Sequence, residues 1–349
     1  MRPAARVLIV GLTGLALLAA ACGDGGSAVS TDPSPSGAPS IAGSDVPEPA
    51  TPDYSYQAGS VGTPALERLS TLDDGTTIDD LRFVSPRGGE ASAWLVTPPG
   101  DGPFAGMLYL HGSETDRDDL LDEALAMATG GVASVVLDAP WVRAGDSQGS
   151  EAGNYFAPAD EAAMVEQTVV DLRAAIDLLV GEADVDPARV GFMGHSWGAS
   201  TGAILAAVDD RPIAFVLVTG RPSWTAYLRS VADTRLASIT TMLGPEKWEQ
   251  YLAVMAPYDA TSVLAEADGE ELLLQFGTRD DVVVPADVDA FVAAAPDGAT
   301  AMTYDAGHVL DAAATADRIG WLVDRLGAGE VDADAIAAVG LPDAPTPLP

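Results

Sequence analysis

The pentapeptide "GHSWG" sets one serine, Ser196, between Gly194 and Gly198. At this serine an apolar run typical of a buried strand gives way to small residues typical of a closely packed helix. A serine at such a strand-turn-helix junction has strained backbone angles and an exposed hydroxyl, and the glycines leave room for the turn. The pattern therefore predicts a nucleophilic serine, and the N-terminus of the following helix favours developing negative charge.

A serine hydroxyl is a weak nucleophile and needs a base, normally a histidine oriented by a carboxylate. The chain has three histidines. His195 adjoins the serine and should point away from its hydroxyl, whereas His111 follows the apolar run "MLYL" and should hold a loop. His308, in "YDAGHVL", follows the last apolar run, at the sheet edge where open α/β sheets bind ligands. We therefore predict that His308 is the base.

Short apolar runs alternate with helical periodicity, which indicates an α/β fold: a mostly parallel, twisted sheet with helices on both faces. The expected strands are 104–110, 132–140, 189–196, 213–220, 271–277 and 299–307. A long helix is expected over 164–179, ended by Gly181, with further helices near 286–295 and 311–326. Segments 76–86 and 91–99 predict an antiparallel hairpin at the sheet edge.

In this order the motifs resemble the α/β-hydrolase family, more narrowly its dienelactone-hydrolase and acyl-esterase-like branch, over about residues 76–326. The resemblance implies the α/β-hydrolase fold, no cofactor, and a triad in the chain order serine, acid, histidine. The acid would be an aspartate of "GTRDD". The family spacing counted from Gly277 selects Asp280, and the spacing counted back from Pro285 selects Asp281. We favour Asp280, because the turn at Gly277 follows directly from the strand end.

The resemblance also assigns an oxyanion hole to two backbone N–H groups. They belong to Ser113, after the His-Gly of "LYLHGS", and to Trp197, directly after the nucleophile.

About fifty residues separate "FVLVTG" from "ELLLQFG", and the family often inserts a helical cap here, at about 221–257. Aromatic residues of this cap either line an acyl or aryl pocket or only pack the cap onto the sheet. The candidate substrate-binding side chains are Trp224 and Trp248 of the cap, with His111 and His195. Residues 141–156 form a candidate further wall of the site.

The N-terminus is typical of an export signal, with Arg2 and Arg6 before an apolar run and small residues. The expected organisation is a signal peptide at 1–22, a flexible Pro/Gly/Ser-rich tether at 23–62, a folded domain at 63–330 and a loose tail at 331–349. The only cysteine, Cys22, follows "LLAAA", which resembles a lipoprotein lipobox; the same alanines also fit an ordinary A-x-A cleavage site.

The net charge of −35 repels nucleic acid and anionic lipid headgroups, and the acidic residues show no metal-ligand spacing. The sequence as a whole predicts a metal-independent serine hydrolase that cleaves carboxylic esters, of small molecules or of the cell envelope, through an acyl-enzyme. We expect it to be exported and held at the extracytoplasmic face of the membrane by an N-terminal lipid only, or else secreted. The alternatives are a serine peptidase or acyltransferase of the same fold, or a lipoprotein that only binds a ligand.

Replacing the lipidation candidate, Cys22→Ser, should move the protein from the membrane fraction into soluble secreted material, because several acyl chains anchor a protein stably. Cell fractionation with mass spectrometry of the mature N-terminus measures this. An unmodified Cys22 in the mature protein would exclude the lipoprotein and leave plain secretion.

Overall fold

In a computed structural model that describes residues 51–143 and 155–340, nine strands form one sheet in the order β1-β2-β3-β5-β4-β6-β7-β8-β9. Their bounds are β1 Ala65–Thr71, β2 Thr77–Val84, β3 Glu90–Thr97, β4 Phe104–Leu110, β5 Val132–Leu137, β6 Val185–His195, β7 Pro212–Val218, β8 Leu272–Gly277 and β9 Thr300–Tyr304. Strands β4 to β9 pair in parallel, whereas β1, β2 and β3 extend the sheet antiparallel beyond β5.

The helices of the described residues cover both faces of this sheet. They are α1 Leu121–Thr129, α2 Pro158–Glu182, α3 Trp197–Val208, α4 Trp224–Val231, α5 Ala237–Met255, α6 Pro285–Ala294, α7 Ala312–Leu326 and α8 Ala333–Ala338. Helices α2, α3 and α5 contribute to one hydrophobic core, and α1 and α7 to a second core on the opposite face. Strands β5 and β8 are buried along their whole length, as expected for strands covered on both sides. The predicted α/β fold, a mostly parallel sheet with helices on both faces, is confirmed.

Helices α4 and α5 occupy the segment expected to form the cap. Helix α5 is kinked at Gly244, which has φ +76° and precedes Pro245. The bidentate pair of Arg229 with Glu249, at 2.7 and 2.8 Å, joins the two helices at the surface. Within the described ranges, no helix combines the length and apolar character needed to cross a membrane.

Several elements differ from the sequence expectation. The sequence patterns did not indicate the exposed edge strand β1 or the nine-residue helix α1. Helix α2 begins at Pro158 and runs through Gly181 to Glu182, so Gly181 does not end it. The packing of Leu178 and Leu179, both largely buried, maintains the last turn despite the low helix propensity of glycine.

The domain bounds also differ at both ends. Residues 54–61, expected in the tether, pack against α2: Tyr54 and Val61 are buried, and Arg173 Nη1 donates to the Tyr54 carbonyl at 2.7 Å. Residues 331–340, expected in a loose tail, contain α8 and bury Val331 against the second core. Both segments gain order by covering apolar surface of neighbouring helices. Cys22 and the expected signal peptide lie outside the described residues.

A buried ion pair joins the two helices of the second core. Arg318 of α7 donates from Nε to both carboxylate oxygens of Glu123 of α1, at 2.9 and 3.1 Å, and the Glu123 side chain is 1% exposed. Glu123→Ala should lower the free energy of unfolding by about 3 to 5 kcal/mol, because it leaves the guanidinium buried without its partner. Urea unfolding measures this.

The matched control is Glu249→Ala, which breaks the exposed Arg229–Glu249 pair and should cost under about 1 kcal/mol. Equal losses of unfolding free energy in the two variants would mean that burial does not make the Arg318–Glu123 pair more important than an exposed pair.

Candidate active site

The turn between β6 and α3 holds Ser196 at φ +54° and ψ −112°, outside the regions that non-glycine residues favour. Its N–H donates to the Val218 carbonyl of β7 at 2.8 Å, which fixes the turn to the sheet. A Cβ on Gly194 would overlap the backbone of Gly198, and a Cβ on Gly198 would overlap the Leu110 carbonyl of β4. The two glycines of the pentapeptide are therefore required by backbone contacts on either side of the serine.

Three loops at the carboxyl edge of the sheet bring Ser196, His308 and Asp280 together. The Ser196 Oγ lies 2.9 Å from His308 Nε2, and His308 Nδ1 lies 2.8 Å from Asp280 Oδ2. Asp280 follows β8 and His308 follows β9. The side chains of His308 and Asp280 are 10% and 1% exposed, so little water competes for these hydrogen bonds.

Asp280 is held as a carboxylate. Its Oδ1 accepts the N–H groups of Val282 and Val283 at 2.7 and 2.9 Å, while Oδ2 faces the imidazole. Burial alone would raise the pKa of Asp280, but hydrogen bonds from His308 and the two valines outweigh it and keep the pKa below its usual value. A carboxylate only accepts, so His308 Nδ1 carries the proton and Nε2 accepts from Ser196. The neighbouring Asp281 is exposed, so the geometry selects Asp280.

His111 fixes the expected oxyanion loop. Its Nε2 accepts the Ala139 N–H at 3.0 Å, so the proton is on Nδ1, which donates to the Gly112 carbonyl at 2.6 Å. In a planar trans peptide the Ser113 N–H points away from that carbonyl. His111 is fully buried and burial lowers its pKa, so it is a neutral loop-holding residue and does not contact substrate, contrary to its place among the substrate-binding candidates.

The second expected oxyanion donor, the Trp197 N–H, begins helix α3. The Trp197 ring meets Trp141 edge-on at 4.4 Å between centroids, and Trp141 also meets His111 at 6.0 Å. Trp141 therefore packs against both arms of the expected oxyanion hole. The sequence placed it only in a possible wall at 141–156, of which residues 144–154 lie outside the described ranges.

His195 lies beneath the loop of His308 rather than beside the serine hydroxyl. The two imidazole rings are 5.3 Å apart, and His195 Nε2 is 3.4 Å from the His308 carbonyl oxygen. Burial, reinforced by the nearby His308, lowers the pKa of His195 to about 3. His195 is thus neutral at neutral pH and packs against the loop of His308; its contact with substrate, for which it was a candidate, stays a prediction.

The two cap tryptophans have different surroundings. Trp248 is buried and stacks on Tyr251 at 5.9 Å with an interplanar angle of 11°, next to Tyr155, which places it in the packing of the cap. Trp224 is half-buried and faces Tyr227 and Arg221. Contact of Trp224 with substrate stays a prediction. Sequence reasoning missed Arg221, although its place directly after β7, at the same sheet edge, was a usable signal.

No cluster of three or more metal-ligating side chains occurs in the described part of the chain.

The model of the prolyl oligopeptidase family matches residues 142–315, a range that includes Ser196, Asp280 and His308. Two uncharacterized proteins of Mycobacterium tuberculosis, from strains CDC 1551 / Oshkosh and H37Rv, are 31% identical over 138 residues. The match spans 40% of this chain and 44% of each relative, so it covers less than half of the length of either relative.

Solved structures share this fold over three quarters of the chain at low identity. An acetyl xylan esterase from Paenibacillus sp. R4 is 18% identical, with a TM-score of 0.61 over 75% of this chain and 88% of its own. Acetyl xylan esterase 1 from Thermoanaerobacterium sp. is 20% identical, with a TM-score of 0.62 over 75% and 87%. This chain has the α/β-hydrolase fold, as the motifs indicated. Together with the family match, these neighbours support an enzyme of the hydrolase class.

The position of Asp280 predicts unequal effects of two neighbouring substitutions. Asp280→Asn should lower kcat by on the order of a thousandfold or more, because an amide cannot hold the required histidine tautomer. Asp281→Asn should stay within a few-fold of the wild-type rate, as exposed substitutions usually do. Steady-state assays of both variants with p-nitrophenyl acetate measure the difference, and the reverse ranking would transfer the role to Asp281.

Proposed function

We propose that this protein is a serine esterase that hydrolyses carboxylic esters through an acyl-enzyme intermediate. The observation that carries the proposal is the continuous chain of contacts from Ser196 Oγ through the imidazole of His308 to the buried carboxylate of Asp280. A buried, oriented base of this kind activates a hydroxyl, and a site that only binds a ligand has no need of all three groups.

In the first half-reaction, Ser196 Oγ attacks the ester carbonyl carbon while His308 Nε2 takes the hydroxyl proton. The carbonyl oxygen becomes an oxyanion that the N–H groups of Ser113 and Trp197 stabilise. Asp280 stabilises the imidazolium that forms and does not itself take the proton. The tetrahedral intermediate then expels the alcohol, which receives its proton from His308, and the acyl group remains on Ser196.

In the second half-reaction, a water molecule replaces the alcohol. His308 Nε2 takes a proton from this water as its oxygen attacks the acyl carbon, and the same two N–H groups stabilise the second oxyanion. Collapse of this intermediate breaks the bond to Ser196 Oγ, which regains its proton from His308. The products are a carboxylic acid and the unchanged enzyme.

Two comparisons bear on the substrate class. The acetyl xylan esterases share the fold, and a Pyrococcus furiosus esterase does so at a TM-score of 0.52 and 14% identity, over 78% of this chain and 99% of its own. The acetyl xylan esterases favour a carboxylic ester with a short acyl group, and we propose that a small molecule or cell-envelope material carries it. The prolyl oligopeptidase family match favours a serine peptidase as the second candidate. We further propose export and anchoring by a lipid on Cys22 as the location of this activity.

The full-length protein should hydrolyse p-nitrophenyl acetate and react with a fluorophosphonate probe, which requires an activated serine. Ser196→Ala should abolish both reactions. His308→Ala should lower turnover by on the order of a thousandfold or more, because the members of a triad act as a unit. Faster turnover of a peptide p-nitroanilide than of the ester would favour the peptidase.

His195→Ala is the matched control, since it removes the adjacent histidine, whose ring contacts the loop and not the hydroxyl of Ser196. It should retain most of the activity. Losses as large as those of His308→Ala would mean that the base is wrongly assigned, and wild-type protein that the probe does not label would indicate a binding protein.

A further inference from the structure

Arg221 occupies a buried position at the carboxyl edge of the sheet, three residues after the end of β7. The residue is 4% exposed. Its Nη2 donates to the Val282 carbonyl at 2.7 Å, and its Nη1 lies 3.3 Å from Asp287 Oδ2 at the start of α6. Val282 belongs to the acid loop, residues 280–284, whose N–H groups bind Asp280 Oδ1. The guanidinium therefore holds the loop that carries the triad acid.

The backbone of Arg221 is fixed to the helix that follows the nucleophile. Its N–H donates to Ser200 Oγ at 2.8 Å, and its carbonyl accepts from the same hydroxyl at 3.0 Å. Ser200 lies in α3, one turn after Ser196, and its own N–H donates to the Ser196 carbonyl at 3.1 Å. The position of Arg221 is thus set relative to the nucleophile as well as to the acid.

The guanidinium donates to the acid loop from its edge, and its flat face contacts the cap. Its Cζ lies 3.7 Å from the ring centroid of Tyr227 and 5.4 Å from that of Trp224, both on helix α4. A guanidinium over an aromatic face is attracted by the ring quadrupole, more strongly where water is excluded. Arg221 is therefore one side chain that contacts both a cap helix and the acid loop.

We propose that Arg221 is a positioning residue that couples the seating of cap helix α4 to the orientation of Asp280. This inference rests on the proposed function, since the orientation of Asp280 affects turnover only if the triad acts. A substrate that displaces α4 moves Tyr227 and, with it, the guanidinium of Arg221. The guanidinium in turn moves the Val282 carbonyl, which changes the hydrogen bond between Asp280 and His308. The planar fork of arginine is required, because lysine cannot donate to two acceptors and also present a flat face to the ring.

Arg221→Lys is the primary test because it keeps the charge. It should lower kcat for p-nitrophenyl acetate about tenfold or more, with KM changed less than about twofold, because the loss falls on the triad and not on binding. Tyr227→Leu should lower kcat several-fold, whereas Tyr227→Phe keeps the ring and should restore nearly the wild-type value. The double variant Arg221→Lys/Tyr227→Leu should lose much less than the product of the single losses, as coupled residues do.

Arg229→Lys provides the matched control on the same helix, since Arg229 is exposed and pairs with Glu249 of α5. It should leave kcat unchanged. Thermal unfolding of every variant separates positioning from loss of fold: Arg221→Lys should keep a cooperative transition while its kcat falls.

A readout that needs no turnover keeps the inference separate from the proposed function. Hydrogen exchange of the full-length protein should be faster at residues 280–284 in both Arg221→Lys and Tyr227→Leu, and unchanged there in Tyr227→Phe and Arg229→Lys. The coupling would be overturned if Arg221→Lys had the same hydrogen exchange and kcat as the wild type. It would also be overturned if the losses of kcat in the double variant were additive in free energy. If the wild-type protein neither hydrolyses esters nor reacts with the probe, the proposed function fails, and the exchange pattern still decides whether Arg221 couples α4 to the loop.

Discussion

The backbone at Ser196 is held in a conformation that costs a non-glycine residue about 1 to 3 kcal/mol, and only a rigid surrounding can maintain it. That surrounding consists of backbone contacts: the Val218 carbonyl accepts the Ser196 N–H, and the turn leaves no room for a Cβ at Gly194 or Gly198. Strands β4, β6 and β7 must therefore lie side by side before the serine can project. The apolar strands of the sheet supply this closely packed frame.

Hydrogen bonds to backbone carbonyls orient the loops on both sides of this turn. His111 binds the Gly112 carbonyl next to Ser113, and Arg221 binds the Val282 carbonyl in the loop of Asp280. Both residues are buried, and burial lowers the pKa of each. His111 is thereby kept neutral, which suits a group that must donate from one nitrogen and accept at the other, whereas arginine stays charged even when buried.

The contacts among Ser196, His308 and Asp280 join residues far apart in sequence, because parallel strands direct all of their carboxyl ends to one edge. Ser196, Asp280 and His308 follow β6, β8 and β9, and the hydrogen bonds of His308 span 112 and 28 residues. Such long-range contacts depend on the strands being placed side by side in the sheet. The aromatic packing of the cap, from Tyr155 to Trp248 and Tyr251, is of the same kind: it joins a segment that precedes β6 in the chain to a helix that follows β7.

Residues close together in the sequence determined many features of this protein. The apolar runs specified the central strands, the two glycines around Ser196 specified the sharp turn, and the scarcity of histidines left His308 as the strongest candidate base. These features are readable because each depends on residues near one another in the chain. The choice between Asp280 and Asp281 was different, since two spacing rules disagreed by one residue, and only the fold shows which carboxylate turns inward.

The remaining features depended on partners distant in sequence. The short, weakly patterned helix α1 is buried along one side by the folded body, and the half-buried Ala335 and Ile336 of α8 pack against the same core; propensity alone does not reveal these contacts. Contacts between distant segments explain why His195 is neutral and packs against the loop of His308, and why His111 binds a backbone carbonyl. They also place Arg221 between the cap and the acid loop. The sequence by itself determined which residues could do the chemistry; the tertiary structure decided which atoms meet, because side-chain direction at a strand end is fixed only by the packing of its neighbours.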